Sequence, residues 1–262
     1  MFETELPLLT MIVANVIIAM ASALQASVGI GLALLAVPLL ALVDTRLVPG
    51  PLLLAGVFLA GASAYRERHA VDVQGFGLSL LGLVLGTICG AAALRALRTA
   101  PLSKVFAILI LVAVVLSVSG VRVRPTRSAL FAGGSVAGVM GTMAGIHGPP
   151  IALVLQHARP EQARAMLGAF FFVAYVGSVV ALAVFGLFGM LQVQWAAVLL
   201  PGVVAGLGIA PLLVGCLNPA RLRVAILGIS AAGIHLRRDT VIPQWFQASK
   251  AAAASDGHAV HC

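Results

Sequence analysis

Short groups of charged residues divide this chain into long apolar stretches. The apolar segments lie at 6–26, 28–43, 47–64, 74–94, 105–120, 128–145, 151–156, 165–188, 193–214 and 222–236. About 20 apolar residues span the hydrocarbon core of a bilayer as a helix. We therefore predict an all-α polytopic membrane protein of about eight transmembrane helices plus two half-segments.

Two of the apolar runs are interrupted by glycines and polar residues. The run within 5–44 would form a helix of about 57 Å if it were continuous, almost twice the ~30 Å hydrocarbon core. It contains Gln-Ala-Ser-Val-Gly-Ile-Gly at 25–31, and the run within 127–159 contains Gly-Thr-Met-Ala-Gly-Ile-His-Gly-Pro-Pro at 141–150. Lipid offers no hydrogen-bond partners, so non-helical backbone inside the membrane must face protein or water. Paired interrupted segments therefore indicate a solute pathway.

Composition agrees with this class. Hydrophobic residues make up 61% of the chain and charged residues 9%, whereas soluble domains carry about 25% charged residues. The formal net charge is +8, but its carriers are scattered over the loops and form no basic face interleaved with aromatic residues. We expect the lipid bilayer, with its anionic headgroups, as a partner and no nucleic acid. The predicted location is the cell (plasma or inner) membrane, in a multi-pass arrangement.

The two halves of the chain carry an internal repeat. Gly-Ile-Gly at 29–31 recurs as Gly-Ile-His at 145–147 with a spacing of 116, and the segment 81–86 recurs as 201–206 with a spacing of 120. We predict a duplicated four-span unit in which a broken or re-entrant segment comes first; whether 28–43 crosses or returns is left open. The predicted divisions are an N-terminal segment (1–11), membrane repeat 1 (12–120), membrane repeat 2 (128–236) and a poorly ordered C-terminal tail (240–262).

These motifs resemble those of the TauE/SafE family of sulfite and organosulfonate exporters. Each repeat of that family opens with a motif like Gly-hydrophobic-Gly-Gly-Gly, followed by a hydrophobic run with proline. Here the first copy reads Gly-Ile-Gly-Leu-Ala at 29–33 with Pro38 downstream, and the second reads Gly-Ile-His-Gly-Pro-Pro at 145–150, with His147 at a glycine position. The resemblance spans about 12–236. It implies an integral membrane permease, and not an enzyme, that moves sulfite, a sulfonate or a related sulfur oxyanion.

Other function classes have less support in the sequence. A membrane-embedded enzyme would need a nucleophile, metal ligands or paired acids at depth, and the chain contains no H-E-x-x-H or G-x-S-x-G motif. The three cysteines have no metal-binding spacing, so we expect no metal and no cofactor. A passive anion channel and a non-transporting scaffold subunit remain alternatives, and a homo-oligomer is left open.

The interrupted segments supply the candidate binding site for a small anionic solute. Where a helix restarts, its first N–H groups lack partners and carry about half a positive charge from the helix dipole. Apart from Arg223, at the start of the last segment, the apolar segments contain no lysine or arginine, so we expect backbone and neutral side-chain donors to hold the anion. The candidate substrate-binding residues are Gln25, Ser27, Gly29, Gly31, Thr142, Gly145, His147, Gly148 and Pro149.

His147 is also the candidate for proton coupling. It is the titratable residue predicted at membrane depth, and the ordinary histidine pKa of about 6.5 would let it respond to a proton gradient. The alternative is a neutral histidine bonded to a carbonyl that the break leaves free. Other polar residues of the segments, Asn15 and Ser178 among them, are interpreted as helix-packing groups.

Overall fold

The computed structural model describes residues 7–29, 32–70, 73–97, 108–109, 111–113, 115–116, 123–156 and 158–213. Within this part of the chain the regular structure is helical and no strand occurs. The α-helices with defined bounds are α1 (Leu8–Val28), α2 (Leu32–Val43), α3 (Gly50–Glu67), α4 (Val73–Ala96), α5 (Arg127–Ala144), α6 (Gly148–Val154), α7 (Pro160–Val184) and α8 (Met190–Leu213). Short 3-10 turns, Thr45–Leu47 and Arg68–Ala70, follow α2 and α3.

Four of the described helices are long and apolar enough to cross a membrane. The candidate spans are Leu8–Ser27, Phe76–Ala96, Glu161–Val184 and Met190–Leu213. The all-helical membrane class is thus confirmed, whereas the count of eight spans stays a prediction. The last predicted span (222–236), the tail (240–262) and most of 105–120 lie outside the described residues.

Glycines bring α4 and α5 into backbone contact. A Cβ atom at Gly82 or Gly86 of α4 would overlap the carbonyl oxygen of Phe131 or Ser135 of α5, respectively. Only glycine permits this approach, as at other helix–helix interfaces in membranes. The contacts advance in the same direction along both helices, so α4 and α5 run parallel.

The same kind of contact joins α1 and α8. A Cβ atom at Gly202 or Gly206 of α8 would come too close to the carbonyl oxygen of Asn15 or Ala19 of α1, respectively. Each of these four residues stands 116 or 120 positions from its counterpart in the α4–α5 contact. The contacts of one helix pair therefore recur in the other at the two spacings of the sequence repeat.

The remaining long helices, α3 and α7, cross in opposite directions. Gly56 of α3 packs against the ring of Tyr175, while the later residue Ala64 packs against the earlier residue Gly168 of α7. The short helices α2 and α6 are mostly buried, whereas α1, α4, α7 and α8 retain exposed apolar side chains. This distribution suits a bundle whose long helices face lipid and whose short helices lie inside.

A side-chain amide also connects α1 to α8, where Pro201 removes one backbone donor from the helix. The Asn15 Nδ2 donates to the carbonyl oxygens of Met11 and Val198, at 2.9 Å each. Its Oδ1 accepts from the N–H of Gly202 at 2.7 Å. Since Val198 and Gly202 are the two partners of one i→i−4 bond in a regular helix, Asn15 serves both ends of that bond.

Candidate functional site

The two predicted interruptions are helix breaks of the same geometry. Gly29 caps the C-terminal end of α1 and Gly145 that of α5, with φ angles of 89° and 80°. Each glycine donates its N–H to the carbonyl four residues earlier, on Gln25 at 2.8 Å and on Gly141 at 2.7 Å. Positive φ explains why glycine stands at both helix ends. Gly31, also assigned to the site from sequence, lies outside the described residues.

Two polar side chains near the first break point in different directions. Gln25 is buried, and its Oε1 accepts the N–H of Leu32 at 3.2 Å, so it caps the first turn of α2. Ser27 is also buried, but its Oγ donates to the carbonyl oxygen of Leu24 at 3.1 Å. Gln25 therefore faces the break, while the hydroxyl hydrogen of Ser27 is used within α1.

The second break contains a buried chain of polar side chains. The Nε2 of His147 lies 3.0 Å from the Oγ of Ser178, which lies 3.0 Å from the Oγ1 of Thr142. The imidazole packs edge-on against Tyr175, with ring centroids 5.1 Å apart. Both predicted polar residues of this break thus meet through Ser178, which the sequence led us to interpret as a packing residue.

The start of α6 offers fewer backbone donors than an ordinary helix start. Gly148, Pro149 and Pro150 form its first turn and are buried. Because proline has no N–H, the two prolines remove two of the free donors that we expected at a restarted helix. The N–H groups of His147 and Gly148 are those that the break can still present.

Both breaks face one small central cavity. Its lining consists of Gln25, Ala33, Leu34, Ile146, Gly148, Phe171 and Tyr175. The cavity volume that the centre of a water molecule can occupy is about 10 Å³. This is room for roughly one water. Of the predicted site residues, Gln25 and Gly148 lie in this lining, and the other described ones do not.

A second, outer cavity adjoins the first break. Its lining consists of Gln25, Ala26, Gly29, Ser63, Glu67, Arg164, Gly168 and Phe171. Gln25 and Phe171 belong to the lining of both cavities. The two spaces are therefore neighbours, with these two side chains between them.

Charged residues reach the first break, contrary to our expectation of neutral donors alone. The Nε of Arg164 donates to the Oε1 of Glu67 at 3.2 Å, and the Nη2 of Arg66 donates to the carbonyl oxygen of Ala26 at 3.0 Å. These charges stand one to three residues outside the apolar segments, where we interpreted them as loop residues. Arginine side chains are long enough to reach back along a helix end, so position along the chain did not locate the guanidinium groups.

Comparison with known proteins identifies the chain from its sequence as a whole. A family model described as "Sulfite exporter TauE/SafE" matches residues 14–235, which include both helix breaks and every lining residue of the two cavities. No curated protein and no solved structure matches the chain. The matched region covers most of the 262 residues. The protein therefore belongs to the sulfite exporter TauE/SafE family of integral membrane transporters.

Proposed function

We propose that this protein is a permease that moves sulfite, a sulfonate or a related sulfur oxyanion across the cell membrane. The family supports transport of sulfur anions in general. The observation that carries the proposal for this chain is the shared cavity. Two helix breaks more than 100 residues apart in sequence, one capped by Gln25 and one starting at Gly148, line the same buried space.

The anion would be held by neutral donors at this cavity. The first turn of α2 carries the positive end of a helix dipole, and the N–H of Gly148 is a backbone donor at the second break. The carboxamide of Gln25 and the hydroxyl of Tyr175 are polar side-chain groups of the same lining. Gly29, Gly31, Gly145 and Pro149 would shape the breaks, and Ser27 and Thr142 would satisfy local polar groups.

The two halves would form an inverted repeat around this site. Three observations support this proposal: α3 and α7, which occupy corresponding places in the halves, run antiparallel; the contacts of α1 with α8 recur between α4 and α5; and both breaks use a glycine of positive φ. Gly29 contacts Leu167, and His147 contacts Ser178, eleven residues or about 16 Å further along α7. Breaks offset in this way suit alternating access to one site.

The size of the cavity favours a carrier over a passive channel. Space for roughly one water is too small for an oxyanion with its hydration shell. Passage of solute therefore requires the helices around the breaks to move apart. Such a movement in each cycle is a property of carriers, whereas a channel keeps its pathway open to diffusing ions.

Proton coupling is assigned to His147. Its ring nitrogen contacts Ser178, which contacts Thr142, so a change in the proton on the ring alters a hydrogen-bonded chain from α5 to α7. The ring also packs on Tyr175, a residue of the cavity lining. Through these contacts, a change in the protonation state of His147 would affect the proposed binding site.

The proposal is tested by flux into proteoliposomes. The solutes are sulfite, sulfate, thiosulfate and small sulfonates, each with and without an imposed pH gradient. We expect saturable flux of at least one sulfur anion, and its near-complete loss in Gln25→Glu, which puts a negative charge in the cavity lining. Gln194→Glu, at an exposed position on α8, is the matched control. Absence of flux for every solute, or equal flux in the two variants, would contradict the proposed site.

A further inference from the structure

Three charged side chains gather beside the first helix break. Arg66 and Glu67 end α3, and Arg164 lies near the start of α7, 97 residues further along the chain. The Oε1 of Glu67 lies 3.2 Å from the Nε of Arg164 and 3.7 Å from the Nη2 of Arg66. The side chains of Glu67 and Arg164 are 20% and 24% exposed, so both are accessible yet partly removed from solvent.

The cluster belongs to the outer cavity. Glu67 and Arg164 line it together with Gly29 of the break, and Gln25 and Phe171 separate it from the central cavity. An anion that entered the outer cavity would therefore meet Arg164 before it met the proposed binding site. The position of this arginine is that of an entry point and not of the site itself.

The charges of the cluster leave it with a formal value of +1, because two guanidinium groups face one carboxylate. The Oε2 of Glu67 is buried and has no hydrogen-bond partner among the described residues. The Nη2 of Arg66 is engaged with the carbonyl oxygen of Ala26. Glu67 thus binds Arg164 through one oxygen, in a pairing that a competing anion can replace.

An arginine suits a sulfur oxyanion because its planar fork of N–H donors binds two oxygens at once. A fixed cation alone would hold such an anion tightly and release it slowly. A neighbouring carboxylate changes this, since it competes for the same guanidinium and favours release. The Arg164–Glu67 pair combines an anion-binding guanidinium with a competing carboxylate, and it lies in contact with the first break.

We propose that Arg164 is the entry site for the transported anion and that Glu67 occupies it between solutes. The oxyanion displaces Glu67, binds Arg164, and passes Gln25 and Phe171 to the central cavity, after which Glu67 returns. This inference rests on the proposed function. It adds a charged recognition site outside the helix breaks.

The test uses flux of sulfite and methanesulfonate by the full chain in proteoliposomes. Arg164→Gln should raise KM roughly tenfold or more, as expected when a charge-assisted hydrogen bond is lost, and change the rate at saturation less. Glu67→Gln should lower KM and slow the rate at saturation, because no carboxylate aids release. The control is Arg68→Gln: Arg68 is exposed, stacks on Tyr65 4.3 Å from its centroid, and should leave both constants unchanged.

A double variant separates recognition from a structural role. If Arg164 only neutralised Glu67, the combination Arg164→Gln with Glu67→Gln would restore the wild-type KM; recognition of the anion predicts that KM stays raised. Restoration, or a KM in Arg164→Gln equal to that of Arg68→Gln, overturns the inference while the proposed function stands. Lack of any flux in the wild-type protein removes the proposed function itself.

If Arg164→Gln is not monodisperse after purification, Arg164→Lys is measured in its place. Arg164→Lys keeps the charge but loses the planar fork, so we expect it to raise KM by a smaller factor. A wild-type KM in that variant counts against Arg164 as the entry site.

Discussion

The imidazole of His147 occupies the space that a side chain at position 141 would need, and Gly141 provides it. Gln25 stands seven residues before α2, as Gly141 stands seven residues before α6. In the first half, Gly31 stands at the sequence position that corresponds to His147. One half therefore places its polar side chain on the long helix and the other places it in the break, so the two half-sites are not chemically equivalent.

Replacement of His147 tests its assignment to coupling. We expect His147→Ala to abolish transport or to make it insensitive to an imposed pH gradient, because the contact with Ser178 is lost, while membrane insertion remains intact. The measurement is anion flux over a pH series in proteoliposomes. His69→Ala changes an exposed histidine after α3 and should leave the profile unaltered. Wild-type flux and pH dependence in His147→Ala would remove this residue from the mechanism.

The positive φ of Gly29 predicts a local cost for any other residue. Gly29→Ala should destabilise the protein by about 1–2 kcal/mol, because a Cβ atom is disfavoured in the left-handed region. Gly29→Asn should cost less, since asparagine visits that region more readily. Thermal unfolding in detergent measures both.

The control for this series is Gly177→Ala on α7, where a Cβ atom would meet no atom within 4 Å. Alanine has the higher helix propensity, so we expect no loss of stability there. Equal unfolding temperatures for Gly29→Ala and Gly177→Ala would show that the backbone at Gly29 has no need of glycine.

The Asn15 contacts predict a rescue experiment. Asn15→Leu should cost about 1–3 kcal/mol, because it removes the partners that the carboxamide gives to Val198 and Gly202. Combination with Pro201→Ala should recover part of this loss, since alanine restores a regular helix in which those two residues bond to each other. Denaturation in detergent measures the stability of the two single variants and of the double variant. Purely additive effects on stability would contradict the assigned role of Asn15.

The sequence predicted the elements of this fold better than their contacts. Among the described residues, the apolar segments and the two breaks agree with the helices, because the demand for about 20 apolar residues per span and for glycine at a left-handed helix end acts locally. The partners of His147 could not be predicted, since Ser178 and Tyr175 come from a helix whose rotation the apolar pattern leaves undefined. The contact of Arg164 with Glu67 was missed because an arginine side chain is long enough to extend back along a helix end.

The sequence itself shows the loss of backbone donors at the second break. Pro149 and Pro150 suit a helix start, since proline fits the first turn. The same residues lack the N–H groups that an anion would use. The side-chain lining at Gln25 and Tyr175 therefore matters more to the proposed site than the helix dipole alone.

The glycine contacts also determine which parts can move together. At these glycines α1 and α8 touch through their backbones, and so do α4 and α5, so little sliding is possible within either pair. Each pair draws one helix from either half of the sequence, and each ends in one of the two breaks. In the proposed transport cycle we therefore expect each mixed pair, and not each successive half, to move as a rigid unit. A covalent tether within a pair should be tolerated, and one between α1 and α5 should arrest the proposed cycle.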